Sequence, residues 1–526
     1  MWYNSSIFSE YRKGGFGMNM KLRRIIPVVI ASTLMIGGCG GGSAKESTAA
    51  PAETPAVTET PAATETPAVT ETPAVTETPA VTEAPAVPET IPASFDPRPD
   101  GVSGIREQQW GTCWDFSGIS TLESGLIKAG FEDASVDLSE EDVLWWANTQ
   151  PDGGWVQMMR NDTGFSAMLT GYVEMVGARA EADIPYLPMP EDETQKYEDM
   201  VYGEGNNQRP ANYDTAPVLY EVTDSIYFRD ASPEEIKKMI LTYGAVVAMY
   251  DDNPEKLNEE TGAYWYPSVG DLSATNHAVS VVGWDDNYPK ENFLEIDGKK
   301  PENDGAWLIK NSYGTDYGPL GGYIYISYED GYLFKLLDEQ YMYAFSGIRK
   351  PVDQKRYTRS EFSAVSSWTP ENDGRAVFAN VYEFGAGEKF SEISFVTWAK
   401  GGQYEVYYAP MDGEIPRADE SSWTKLASGE VEHDGRMTVK ADGAVPEGKG
   451  ALILVLTGDN PCIGTDENLL LLGRPIFNGI ITRDVSFSLT DGAFAPAVKT
   501  KKMTNSEDTY EEFLNLCIDA YTVPES

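Results

Sequence analysis

Helical periodicity is clearest just after Cys113. Trp114, Phe116, Ile119, Leu122, Leu126 and Ile127 fall on one face of a 3.6-residue repeat. The spacing predicts a buried helix that opens at Cys113, directly after Gly111-Thr112. Further along, the apolar, β-branched run Ala278 to Val282 predicts a central strand, and Trp307-Leu308-Ile309 predicts another that stops just short of Asn311. After about Gly347 the pattern becomes short alternating segments broken by turn residues. AVFANVYEF, KFSEISFVTW, GQYEVYYAP, GALILVLTG and FNGIITR predict strands of an antiparallel β-sandwich.

The start of the chain follows other rules. Met20 to Gly40 has a basic opening at Lys21, Arg23 and Arg24, then an apolar run too short to span a bilayer comfortably, then small residues: the anatomy of an export signal. Its end, Ile36-Gly37-Gly38-Cys39, resembles the bacterial lipobox, which implies cleavage before Cys39 and a lipid on that thiol; an ordinary signal with a chance cysteine is the alternative. Residues before Met18 fit no signal. From about Ser43 to Ser94 a six-residue unit close to PAVTET repeats. Regular proline removes amide donors and the remaining side chains are small or acidic, so this tract predicts an extended stalk with no core. The expected organisation is therefore 1–38 as extension and signal, 39–94 as stalk, 95–346 as a first folded domain and 347–526 as a second. A chain of 526 residues is too long for one ordinary core.

Charge narrows the partners. A formal net charge of -43 repels phosphate backbones and anionic headgroups, which argues against nucleic acid and leaves the Cys39 lipid as the expected route to a membrane. With 4 cysteines in the chain there is no dense disulfide framework. Cys462 and Cys517 can pair in an oxidising exterior or stand as free thiols, and sequence leaves that choice open. Two histidines far apart and isolated cysteines form no metal-ligand cluster, so no metal or cofactor is expected.

The candidate chemistry begins with the thiol. A helix N-terminus and a nearby imidazole are the usual devices that lower a thiol pKa, and Cys113 sits where the first operates. A small buried cysteine at a loop-helix junction is the plainer alternative. Of the 2 histidines, His433 lies in VEHDGR, which reads as an exposed turn, whereas His277 opens the strand run of TNHAVSVVGWDD. Asn311, after the next apolar run, can accept from one ring nitrogen of His277, and Tyr313 and Tyr317 can shield that bond from water.

Together these segments resemble the papain-like cysteine peptidases. IREQQWGTCWDFSGISTLES is similar to the family's active-site helix, NHAVSVVGWDD to its histidine strand, and WLIKNSYGTDYGPLGGYIYISY to its asparagine strand and loop. The resemblance covers roughly Phe95 to Phe345. It implies an α+β chain: a papain-like two-lobed domain, one lobe helical and one β-barrel-like, followed by the sandwich. It also implies a polypeptide substrate, attack by a Cys113 thiolate, proton transfer by His277, orientation by Asn311, and an oxyanion donor in Gln108 beside the Cys113 amide. The family usually has its Gln six positions before the nucleophile, where this chain has Glu107, so Gln108 requires a one-residue deletion. Trp110 and Asp115 also depart from the family pattern, and a carboxylate near the sulfur would oppose thiolate formation. No helical inhibitory propeptide is recognisable before Phe95.

The second domain resembles a lectin-like domain of bacterial surface proteins, for which cell-surface glycan binding, peptide binding and simple bracing are all open. The expected function is an exported, lipid-anchored cysteine peptidase facing outside. The alternative is a catalytically decayed papain-like surface protein that binds glycan or polypeptide. Acyl transfer to amines is a third, weaker reading.

Overall fold

A computed structural model describes residues 90–148, 154–155, 164–188, 209–267, 275–335, 341–471, 474–478, 481–502 and 509–525. Cys39, the signal and almost all of the stalk lie outside the described residues. Helix α1 spans Cys113–Lys128 and packs with α2, Glu140–Asn148, and α3, Ser166–Met175. Their shared core contains Ile119, Leu122, Leu126, Val143, Leu169 and Tyr172. The predicted stripe is thus what α1 buries, starting at the predicted residue. Gly118 allows the closest approach: a Cβ there would stand 1.7 Å from Leu169 Cδ2. A fourth helix, α4, covers Pro233–Tyr243 and begins with a capping box made by Ser232 and Glu235.

The β-rich lobe contains β1, Glu221–Phe228; β2, Val246–Tyr250; β3, His277–Asp285; β4, Ala306–Lys310; β5, Tyr323–Ser327; and β6, Met342–Arg349. Strand β3 is central, between β2 and β4. Its neighbouring residues Val281 and Val282 enter different apolar clusters. That burial on both faces explains why the segment reads as a continuous apolar run rather than an alternating one. A hydroxyl contact of 2.9 Å between Thr121 on α1 and Ser280 on β3 ties the helix to this strand.

In the second domain β7, Arg375–Phe384; β8, Glu388–Thr397; β9, Gln403–Asp412; β10, Gly435–Ala444; β11, Gly448–Thr457; β12, Ser486–Thr490; and β13, Ile518–Pro524 build two sheets. Phe378, Phe390, Ile393, Phe395, Leu452, Leu454 and Ile518 fill the space between them. One sheet runs β9-β11-β7-β12. The other does not stop at the domain junction. It continues β13-β8-β10-β1-β6-β2-β3-β4-β5, with Gly435 opposite Ile226 and Arg436 opposite Ser225.

One expectation needs revision, and one choice left open by the sequence is resolved. FNGIITR is not one strand: Phe477 and Asn478 end a strand at Arg474–Asn478, residues 479 and 480 lie outside the described residues, and Ile481 to Arg483 are not in a strand. There the Thr482 amide donates to the Asn515 side chain instead of a ladder. Cys462 and Cys517 are both buried free thiols, the second donating to the Ser363 carbonyl.

Candidate active site

The two antiparallel strands β3 and β4 bring His277, which opens one, and Asn311, which follows the other, to the same end of the sheet. The register sets Tyr250 opposite His277 and Ser280 opposite Lys310. His277 Nε2 lies 2.8 Å from Asn311 Oδ1. The same oxygen accepts from the Ser312 amide at 2.8 Å, which fixes the orientation of the Asn311 amide and makes Nε2 the protonated nitrogen. Nδ1 is left for the sulfur. Among the described residues Asn311 Nδ2 has no hydrogen-bond partner.

Helix α1 delivers Cys113 to that nitrogen. Thr112 is its N-cap and makes no side-chain cap bond, so no cap takes up the Cys113 and Trp114 amides, while the Asp115 amide donates to the Thr112 carbonyl at 3.0 Å. The groups that act on the Cys113 sulfur are the His277 side chain and the backbone at Ala278 and Trp114. Burial pushes this thiol up, but the bond and charge of His277 and the two amides outweigh it and hold Cys113 below its ordinary value. For His277 burial works downward, and the bond and charge of Cys113, then the charge of Asp252 and the bond to Asn311, raise it. Opposite shifts with a common origin favour proton transfer from the thiol to the imidazole.

Gln108 joins the same site and Glu107 does not. Gln108 is buried, whereas Glu107 is exposed. Gln108 Oε1 accepts from Ser312 Oγ at 2.6 Å, and its Nε2 donates to the Trp110 carbonyl at 2.9 Å. One amide hydrogen of Nε2 remains beyond that bond. Trp110 itself is buried, its Nε1 donating to the Leu187 carbonyl. Asp115 is fully buried, and its charge bears on Tyr343 of β6; it is not among the main influences on the Cys113 thiol. The feared opposition to the thiolate is therefore weak.

Tyr313 stacks on the imidazole with centroids 4.7 Å apart and planes 16° from parallel, and Tyr317 meets Tyr313 edge-on at 5.0 Å. Tyr313 thus covers one face of the imidazole, and Tyr317 packs against Tyr313. Asp252 was not singled out by sequence, yet its carboxylate accepts from Tyr313 at 2.8 Å and from Tyr250 at 3.0 Å. The only signal for it was a pair of aspartates directly after the buried strand run VVAMY. Beneath the site, Lys310 Nζ donates to Ser103 Oγ at 2.6 Å, Ser103 donates to Glu123, and the Leu138 amide donates to Glu123 at 2.9 Å. His433, the other histidine, sits in a half-buried turn, its Nδ1 3.0 Å from the Asp434 carbonyl.

Comparison with known proteins bears on the family and the fold. Residues 91–342 match the family described as papain family cysteine protease, and residues 357–469 match the lectin like domain. The solved structure of the clostridial cysteine protease Cwp84 after propeptide cleavage is 31% identical with a TM-score of 0.67, covering 82% of this chain and 99% of that one. The cysteine protease and lectin-like domains of Cwp84, described as a surface layer associated protein of Clostridium difficile, are likewise 31% identical with a TM-score of 0.67, covering 84% and 91%. Cathepsin L2 of Homo sapiens is 29% identical over 246 residues, 45% of this chain and 61% of that protein. Procathepsin L of Felis catus is 28% identical over 238 residues, 44% and 60%. The chain thus spans about 60% of the length of the curated relatives it matches.

Proposed function

The chain belongs to the papain family of cysteine proteases, and from that premise we propose that it hydrolyses peptide bonds through Cys113, His277 and Asn311. The observation that carries the reading is the thiol held low beside an imidazole held high, with Asn311 Oδ1 2.8 Å from the far ring nitrogen. In the proposed cycle the Cys113 sulfur attacks the scissile carbonyl carbon, and the electron pair of the C=O bond moves to oxygen. The Gln108 amide and the Cys113 backbone N–H receive that oxyanion. As the tetrahedral intermediate collapses, His277 gives its Nδ1 proton to the departing amine and a thioester remains. Water, deprotonated by the now neutral His277, attacks the thioester, and the thiolate leaves as the carboxylic acid forms. Asn311 keeps the ring in one tautomer throughout.

Gln108→Ala is expected to lower kcat by about 10²-fold with KM little changed, because the lost donor acts mainly on the oxyanion. Steady-state hydrolysis of an unfolded protein such as casein checks it; an unaltered kcat would remove Gln108 from the mechanism. Asp115 is not among the main influences on the Cys113 thiol, which favours this catalytic reading over a decayed binder.

The same proposal extends to placement. The expected catalytic domain is 95–346 and the lectin-like domain 347–526, carried on the 39–94 stalk and anchored outside the bacterial membrane by lipid on Cys39. Support comes from the lipobox-like Ile36-Gly37-Gly38-Cys39 and from the surface-layer association stated for Cwp84. Membrane-extracted protein should carry diacylglycerol on Cys39 by mass spectrometry, and its absence there would end the anchor. A cell-surface glycan is the proposed partner of the second domain.

A further inference from the structure

Tyr313 has one hydroxyl proton, and two acceptors lie within reach of it: Asp252 Oδ2 at 2.8 Å and His277 Nδ1 at 3.3 Å. The shorter contact to a carboxylate takes the proton. The phenol oxygen then turns a lone pair toward Nδ1, and that favours a ring carrying a proton there. Without Asp252 the hydroxyl is free to rotate and donate to Nδ1, which favours the neutral ring and competes with the thiol for the same nitrogen. Asp252 is itself fixed by Tyr250, which donates at 3.0 Å, and by its own amide, which donates to Asn276 Oδ1 at 2.7 Å.

We propose that Asp252, acting through the Tyr313 hydroxyl, is a positioning residue that holds His277 protonated at Nδ1. This rests on the reading of Cys113 and His277 as the reacting pair. Among the described residues, the groups around His277 are these. Cys113 comes from α1, Tyr250 from β2 with its ring 5.7 Å away, Asp252 from the end of β2, Asn276 from the residue before β3, and Asn311 and Tyr313 from the loop after β4. Tyr317 packs behind Tyr313. Asp251 beside Asp252 is pushed by burial up to about 6 and meets Asn276 Nδ2 at 3.3 Å. Burial and the Asp252 charge hold the Tyr313 phenol well above its ordinary value, so its proton stays on oxygen. Asp252 is also the carboxylate whose charge raises His277.

The test titrates His277 by NMR in the full chain with 13C-labelled histidine, after capping Cys113 as its methyl disulfide so that the thiol no longer titrates with the ring. With 2 histidines in the chain, a His433→Gln variant assigns both signals. Asp252→Asn is expected to lower the His277 midpoint by about 1 pH unit. Asp252→Glu restores most of that shift, and in a Tyr313→Phe background the Asp252→Asn shift shrinks. The alkaline limb of kcat/KM in uncapped protein should move down with the midpoint, and KM should not change. A His277 midpoint unmoved by Asp252→Asn, or moved equally with and without the Tyr313 hydroxyl, overturns the proposal. Failure of the reacting pair itself looks different: the wild-type thiol would then alkylate slowly and without regard to His277.

Discussion

Cys113→Ala removes turnover by about 10⁴-fold or more while the fold survives. In the proposed cycle the nucleophile and base act as a unit, so losing either removes most of the acceleration that the other provides. The packing lost is small: one sulfur atom at the start of α1, whose core is carried by Ile119, Leu122 and Leu126. The unfolding free energy should therefore fall by no more than about 1 kcal/mol. Parallel hydrolysis assays and urea denaturation separate the two quantities. Activity and stability lost in proportion would assign Cys113 a packing role instead.

Asp519→Ala is expected to produce the largest loss of stability. Asp519 is buried on β13, where its Oδ2 accepts from Arg436 at 3.0 Å and from Arg356 at 2.5 Å. Arg436 is 1% exposed, and it sits where β10 pairs with β1 to join the two domains. Arg356 also donates to the Glu174 carbonyl of α3 at 3.1 Å. Removing the carboxylate leaves two guanidiniums facing each other across a buried space, at a cost of about 3–5 kcal/mol. Burial alone would raise Asp519, but the charges of Arg356 and then Arg436 hold it below its ordinary value. A carboxyl whose folded pKa is depressed adds stability above its unfolded value and loses it as pH falls through the folded one. Wild-type stability should thus drop on acidification below about pH 4, and Asp519→Ala should flatten that part of the profile. Urea midpoints at neutral and acid pH measure both. Since the sheet is continuous through this junction, separate unfolding of the two domains in the variant would show how far the cluster holds them together.

The site was legible in sequence because its members carry unusual local signatures. Cys113 opens an amphipathic helix, His277 opens a strand buried on both faces, and Asn311 follows the next strand, so each could be placed without knowing the fold. Gln108 was preferable to Glu107 on charge alone, and its burial follows from the Ser312 contact that charge could not predict. Asp252 was not legible. Its place beside Tyr313 depends on the β2 to β3 register that sets Tyr250 opposite His277, a long-range pairing that local pattern does not encode. The merged sheet escaped notice for a similar reason. Gly435 and Arg436 carry no strand signal, and Gly435 has φ 112° with its Cα so close to β1 that a Cβ would meet the Ser225 carbonyl at 2.1 Å. The free thiols of Cys462 and Cys517 likewise depend on packing around Ser363 and Thr397 rather than on spacing.

Whether Cys113 and His277 form an activated pair is decided by site-resolved labelling of Cys113 with an epoxide electrophile, followed by mass spectrometry in wild type and His277→Ala. Expected is rapid modification of Cys113 near neutral pH, faster than of Cys462 and Cys517 although all three are buried, and a fall of about 10²-fold or more when the imidazole is removed. Slow labelling that is the same with and without His277 would contradict it.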